Sequence, residues 1–159
     1  MISHKHKCIF IHIPKCGGAS VEDVLFKPIK ERTTKDLWMF PSKYQTGGLQ
    51  HLMASHIIEE VGEDIFKEYF KFSFVRNPWD KMISQFNYTI AQRRDIQKYI
   101  GINKNSSFNE YLNRVFSADI HVQWDQQHKF IHINGMNAVD FIGRFEKEIS
   151  LVQTIYLHS

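Results

Sequence analysis

The sequence predicts an α/β fold in which a largely parallel sheet is flanked by helices. Three observations lead there. An apolar run as short as Ile9 to Ile13 suits a buried strand, and Gly17-Gly18 then lets the backbone turn into a helical pattern. A second run, Lys71-Phe-Ser-Phe-Val-Arg76, alternates as a strand and is halted by Asn77-Pro78, because proline lacks a ladder donor yet suits the first turn of a helix. Strands and helices alternate over 159 residues, the length of one domain with a sizeable core. Sheets of this kind place ligands at the carboxyl ends of their strands.

The elements follow in order. After the first strand, Ser20 to about Phe26 reads as a helix, with Val21, Val24 and Leu25 at helical spacing and Pro28 just beyond. Residues 30–49 mix charge, Pro41 and Gly47-Gly48 without periodicity and read as an irregular connection. From His51, the residues Leu52, Ile57, Ile58 and Val61 outline a helix ending near Gly62, and Ile65, Phe66, Tyr69 and Phe70 outline a shorter one. Beyond the second strand a helix is predicted from Trp79 to Arg94, its apolar face made by Trp79, Met82, Ile83, Phe86 and Ile90. Ser107 with Glu110 forms a capping box for a helix through Phe116 that carries Phe108, Tyr111, Leu112 and Val115 inward. Lys129 to His132 and Val139 to Ile142 read as two extended pieces around Asn134-Gly135. Phe145 to Tyr156 reads as a last helix with no glycine or proline stop before Ser159, so the sequence is read as ending inside an element.

Composition narrows the function classes. Hydrophobic residues make up 43% and aromatics 14%, with 4 Pro and 8 Gly, which excludes a disordered or collagen-like chain. Thirteen Phe predict an aromatic-rich core. A net charge of +3 fits an anionic ligand but falls short of a dedicated nucleic-acid binder. Only Cys8 and Cys16 occur, close together, so neither a disulfide framework nor a zinc spacing is available and a reducing compartment is expected. Met1 to Lys7 leads into the first strand without the long apolar stretch of a signal peptide or anchor, and a soluble cytoplasmic chain is expected.

The segment Cys8-Ile-Phe-Ile-His-Ile-Pro-Lys-Cys-Gly-Gly-Ala-Ser20 has the makings of an anion cradle. The glycines allow a tight turn, the helix start offers unpaired N–H groups to a phosphate or sulfate, and Lys15 adds a positive charge. The Walker A order G-x-x-x-x-G-K-S/T is absent, because here the lysine precedes the glycines. Taken alone, the segment also fits an ordinary strand-to-helix turn. A second constellation repeats its logic: Arg76 stands at the carboxyl edge of a strand, and Ser84, eight residues on, lies on the following helix. A guanidinium fork and a hydroxyl could share one phosphate, although an ion pair would equally occupy Arg76. Together the two segments describe a ligand with two separated anionic groups.

These motifs resemble the sulfotransferases that use 3′-phosphoadenosine 5′-phosphosulfate, in the group that includes heparan sulfate 2-O-sulfotransferase-like and other carbohydrate sulfotransferases. The resemblance covers Cys8 to about Ile149. Ile13-Pro-Lys-Cys-Gly-Gly-Ala-Ser20 is similar to the family's loop for the 5′-phosphosulfate, which implies that Lys15, Cys16, Gly17, Gly18, Ala19 and Ser20 bind the donor. Phe74-Val-Arg-Asn-Pro-Trp-Asp-Lys-Met-Ile-Ser84 is similar to its 3′-phosphate segment, which implies the same for Arg76 and Ser84. Gln123-Trp124-Asp-Gln-Gln127 resembles a His-Trp-x-Pro-Gln element, and Asp140-Phe-Ile-Gly-Arg-Phe-Glu146 a stretch that follows it. The sequence departs from the pattern at Ala19, where the family usually has threonine, and at Gln123 and Gln126, where it has histidine and proline. The family also commonly continues with a further carboxyl segment, so residues 1–159 are expected to be a single sulfotransferase-like domain cut short at that end.

The resemblance implies a P-loop-like fold and transfer of a sulfuryl group to an acceptor hydroxyl on a carbohydrate, with adenosine 3′,5′-bisphosphate as product and no metal. Lys15 would sit at the bridging oxygen of the donor. A hydroxyl nucleophile also needs a base, a task suited to neutral imidazole. Among nine histidines, His51 opens a helix near where the resemblance places a histidine base; His56 is the alternative, and His12, inside the first strand, reads as a packed core residue. Trp124 reads as core rather than as a stacking platform. Two rival functions stay open: a P-loop-like small-molecule kinase, and a nucleotide- or polyanion-binding module or inactive truncated relative.

Overall fold

The computed structural model describes residues 1–25, 51–118 and 122–147. The chain is mixed α/β, with helices α1 (Gly18–Leu25), α2 (Ala54–Val61), α3 (Glu63–Glu68), α4 (Pro78–Gln92), α5 (Arg94–Ile100), α6 (Phe108–Ser117) and α7 (Gln127–Ile131). Its strands are β1 (Ile2–Ser3), β2 (Cys8–Ile11), β3 (Phe70–Val75), β4 (His132–Ile133), β5 (Met136–Asn137) and β6 (Phe141–Arg144). Two units can be distinguished: Met1–Arg76 together with the described residues from Gln126 onward, and Asn77–Asp125.

In the first unit four strands form a sheet in the order β1-β2-β3-β6. The short β1 runs antiparallel to β2, while β2, β3 and β6 are parallel, with Phe10 opposite Phe72 and Phe74 opposite Gly143. All four residues of β2 are buried, as expected for a parallel strand covered on both faces. Alternation along β3 puts Phe70, Phe72 and Phe74 on one face, where Phe72 lies 5.2 Å from Phe10 and Phe74 lies 6.5 Å from Phe141 between ring centroids. Of these rings Phe10 is fully buried, which contributes roughly 1.5–3 kcal/mol, while Phe70 and Phe141 keep about half their surface exposed. On the other face Ser73 donates to the Ile11 carbonyl at 2.7 Å, and the buried Lys71 pairs with Asp140 at 2.9 Å. Asp140 also accepts the Lys71 N–H at 2.7 Å, so one carboxylate fixes where the chain enters β6.

Several expectations are corrected here. Lys129 to Ile131 is helical, because the buried Phe130 and Ile131 anchor α7, and the extended backbone begins only at His132. The Asn134-Gly135 turn, with φ of 51° and 79°, joins β4 to β5, a two-residue hairpin shorter than predicted. Phe141–Arg144 leaves that hairpin and pairs with β3 instead. The expected last helix begins at residues 145–147 and otherwise lies outside the described residues, as does the connection at 30–49.

The second unit holds the predicted α6, with Ser107 accepting the Glu110 N–H at 3.2 Å. Tyr111 and Val115 join Ile96, Ile100 and Ile102 in a core against which Met82, Phe86, Ile90, Phe108, Leu112 and Trp124 pack. α4 keeps Met82, Phe86 and Ile90 of its predicted apolar face against this core, but not the other two. Trp79 is 76% exposed and Ile83 46%, whereas Lys81, Gln85 and Thr89 are buried. Hydrogen bonding explains which polar residues turn inward. Lys81 Nζ donates to the carbonyls of Gln123 and Asp125 at 3.0 and 3.4 Å, and Gln85 bonds to the side chain of Gln123. Trp124 Nε1 donates to the Tyr111 hydroxyl at 2.8 Å, and burial pushes that hydroxyl's pKa up to about 12. The predicted helix also ends early, at Gln92, and Arg94–Ile100 forms a separate helix whose apolar signal is only Ile96 and Ile100.

Candidate active site

β2 ends at Ile11, and the chain passes through His12 and Pro14 into a loop that enters α1 at Gly18. Lys15 and Gly17 both have left-handed backbone, with φ of 63° and 80°. Glycine adopts this freely, but lysine does so at a cost of roughly 1–2 kcal/mol, which the surrounding contacts must offset. At the start of α1 the Ser20 N–H turns to the Gly17 carbonyl at 3.2 Å. The N–H groups of Gly18 and Ala19 have no acceptor within the helix, and they stand at its positive end. Cys16 faces inward at 2% exposure, its thiol directed to the Pro14 carbonyl and to Gln127 Oε1 at 3.5 and 3.4 Å. Its N–H turns to the Ile13 carbonyl at 3.4 Å, so Cys16 shapes the turn.

Arg76 follows directly on β3 and reaches this loop. Its Nη1 donates to the Lys15 carbonyl at 3.3 Å, and its guanidinium lies 4.4 Å from the centroid of the Phe145 ring. The same ring closes against Gly17, where a Cβ would come within 2.7 Å of it. Arg76 Nε is buried and has no hydrogen-bond partner among the described residues. Burial first, and the Arg76 charge second, hold the Lys15 ammonium below the ordinary lysine pKa.

Behind the loop sit two histidines. His12 is buried, and its ring fills the space beside Gly18, where a Cβ would lie 2.2 Å from it. His51 packs edge-on against that ring at 4.6 Å, and its Nδ1 is 3.0 Å from the His12 carbonyl. A carbonyl only accepts, so His51 Nδ1 carries the proton and, in the neutral ring, the lone pair lies on Nε2. His56 is in the first turn of α2, half-buried. Ser84 belongs to the second unit, half-buried on α4. Replacing Gly18 with alanine is expected to force the His12 ring aside, lowering stability by about 1–3 kcal/mol. Thermal unfolding of Gly18→Ala beside wild type measures this.

The sequence profile of the Sulfotransferase family matches residues 1–157. The chain belongs to the sulfotransferase family. Its chemistry is accordingly that of a transferase moving sulfuryl groups. No curated protein and no solved structure gives a significant match to this sulfotransferase-family chain. Among the described residues no group of three or more His, Cys, Asp or Glu is placed to hold a metal, and no helix is long and apolar enough to cross a membrane. Three residues of this candidate site, His12, Gln127 and Phe145, are given no task by the sequence alone. Gln127 and Phe145 fall inside the two weaker family-like segments, which flag the region without assigning either side chain a role. His12 is buried, in keeping with its core-like sequence setting, yet its carbonyl is what orients His51.

Proposed function

We propose that this sulfotransferase-family protein takes its sulfuryl group from 3′-phosphoadenosine 5′-phosphosulfate and delivers it to a carbohydrate hydroxyl. The observation that carries the reading is the meeting of Lys15 and Arg76 at one loop. A half-buried ammonium disfavoured by its neighbour's charge, and a buried guanidinium N–H lacking an acceptor among the described residues, are each stabilised by an anionic group of a ligand bound at this loop. The Phe145 and His12 rings fill the space a side chain would need at Gly17 and Gly18, so the turn requires glycine at both positions. The succession of strand, glycine turn and helix start supports a P-loop-like reading of the loop, with the lysine on the other side of the glycines.

The bound donor supplies an activated sulfuryl group whose transfer leaves negative charge on a phosphate oxygen. Lys15 and the N–H groups of Gly17, Gly18 and Ala19 would stabilise that charge from fixed positions, without reorganisation during the reaction, with the Ser20 hydroxyl as a further donor. Arg76 would bind the 3′-phosphate. His51, its Nδ1–H committed to the His12 carbonyl, would accept the acceptor's proton at Nε2. The carbohydrate acceptor is supported by the motif resemblance.

Adenosine 3′,5′-bisphosphate is expected to raise the melting temperature of the wild-type chain. Arg76→Ala is expected to weaken its binding by about 10–100-fold, the loss of one charge-assisted hydrogen-bonded contact. Calorimetric titration of both proteins tests this, and equal affinity for both overturns the site. ATP with magnesium, titrated in parallel, is expected to bind more weakly; the reverse order would favour a kinase.

A further inference from the structure

Where β3 ends at Val75, its ladder with β6 also ends, at the pair Val75–Arg144. The next residue, Arg76, nevertheless has both backbone groups engaged. Its N–H donates to Gln127 Oε1 at 2.8 Å, and its carbonyl accepts from Gln127 Nε2 at 2.7 Å. A single side-chain amide thus prolongs the sheet by one residue. The two bonds also fix the orientation of that amide, since turning it over would set donor against donor. The second lone pair of Oε1 faces the thiol of Cys16 at 3.4 Å, inside the donor loop. Gln127 is itself held at the start of α7 by the buried Phe130 and Ile131.

We propose that Gln127 is a positioning residue of the donor site: its amide locks the main chain of Arg76 to the Cys16 turn, so that the guanidinium and the Lys15–Ser20 loop keep one fixed spacing. This rests on the donor reading given above. Arg76 carries a long, rotamer-rich side chain, and its aim depends on where its Cα is held. The guanidinium's contacts to the Lys15 carbonyl and the Phe145 ring set its far end. Gln127 sets the near end. Without the amide, both Arg76 backbone groups would turn to water and the strand end would fray.

A double-mutant cycle tests the inference with adenosine 3′,5′-bisphosphate as the titrant, in wild type, Gln127→Met, Arg76→Ala and the double variant. Gln127→Met, close in volume but unable to hydrogen-bond in this way, is expected to weaken binding about tenfold. In the Arg76→Ala background the same change is expected to weaken it less than about twofold, because a residue acting through Arg76 has nothing left to position. A merely structural role would instead give the same factor in both backgrounds, and that outcome overturns the proposal, as does unaltered binding by Gln127→Met. Gln127→Glu guards against a misfolded methionine variant: its carboxylate keeps the bond from the Arg76 N–H but sets an oxygen against the Arg76 carbonyl. It is expected to weaken binding at least as much as Gln127→Met, and wild-type affinity in a folded Gln127→Glu protein together with additivity in its own cycle overturns the inference. A wild-type chain that fails to bind the bisphosphate removes the donor reading, and this inference with it. Wild-type binding with an uncoupled cycle removes the inference alone.

Discussion

Replacing His51 with alanine is expected to slow sulfuryl transfer by about 10²–10⁴-fold, the usual contribution of a positioned general base. Affinity for adenosine 3′,5′-bisphosphate should stay within about twofold of wild type, because a base acts on the acceptor and not on the product nucleotide. The separation follows from geometry. His51 packs against His12, whose carbonyl takes the Nδ1 proton and leaves Nε2 as the basic nitrogen. Single-turnover assays with radiolabelled donor and a carbohydrate acceptor, together with calorimetry on the same preparations, give both quantities. Unchanged turnover in His51→Ala would exclude the base role and direct attention to His56. Loss of bisphosphate binding would show instead that His51 acts by holding His12 beside Gly18.

Lys15→Ala is expected to reduce transfer by roughly 10–100-fold, since a charge-assisted hydrogen bond is worth about 1.5–3 kcal/mol when made in the transition state. The bisphosphate should also bind more weakly, with a pH signature that identifies the cause. Before the nucleotide binds, burial and Arg76 hold the Lys15 ammonium below the ordinary lysine pKa. A bound anion stabilises the charged form and raises that pKa, so binding takes up a proton in the alkaline range, and affinity falls as pH rises through the lowered value. Titrations in buffers of different ionisation enthalpy measure the uptake. Lys15→Ala should abolish both the uptake and the alkaline decline, while Arg76→Ala should move the decline to higher pH. A wild-type affinity independent of alkaline pH would separate Lys15 from the anion.

Local signals in the sequence reach the parts of the site that are built locally. The apolar run ending at Ile13, the two glycines and the helix beyond them lie within one strand-to-helix connection, and the left-handed Gly17 is what such a turn requires. Arg76 is legible as the residue between a strand and a proline-started helix. What stays hidden is carried by contacts between distant segments. Gln127 meets Cys16 across 111 positions and Arg76 across 51, and no periodicity encodes either meeting. β6 is visible as an extended piece, but its partner is not, because parallel pairing with β3 depends on a crossover rather than on a turn. α4 misleads for a different reason. Helical spacing of apolar residues predicts an inward face only if those residues are the ones drawn inward, whereas Lys81 and Gln85 are pulled in by the backbone and side chain of Gln123. Trp79 and Ile83 are left toward solvent as a result.

At position 15 one residue answers two opposed demands. In the proposed reaction its ammonium serves turnover, while its main chain occupies a region that glycine would enter without penalty. A glycine there would relax the turn and surrender the charge, so a sturdier protein and a faster enzyme lie in different directions from this amino acid. Evolution toward thermal robustness in this lineage would then have to proceed through neighbouring positions, with the lysine kept in its uneasy posture as the toll of activity.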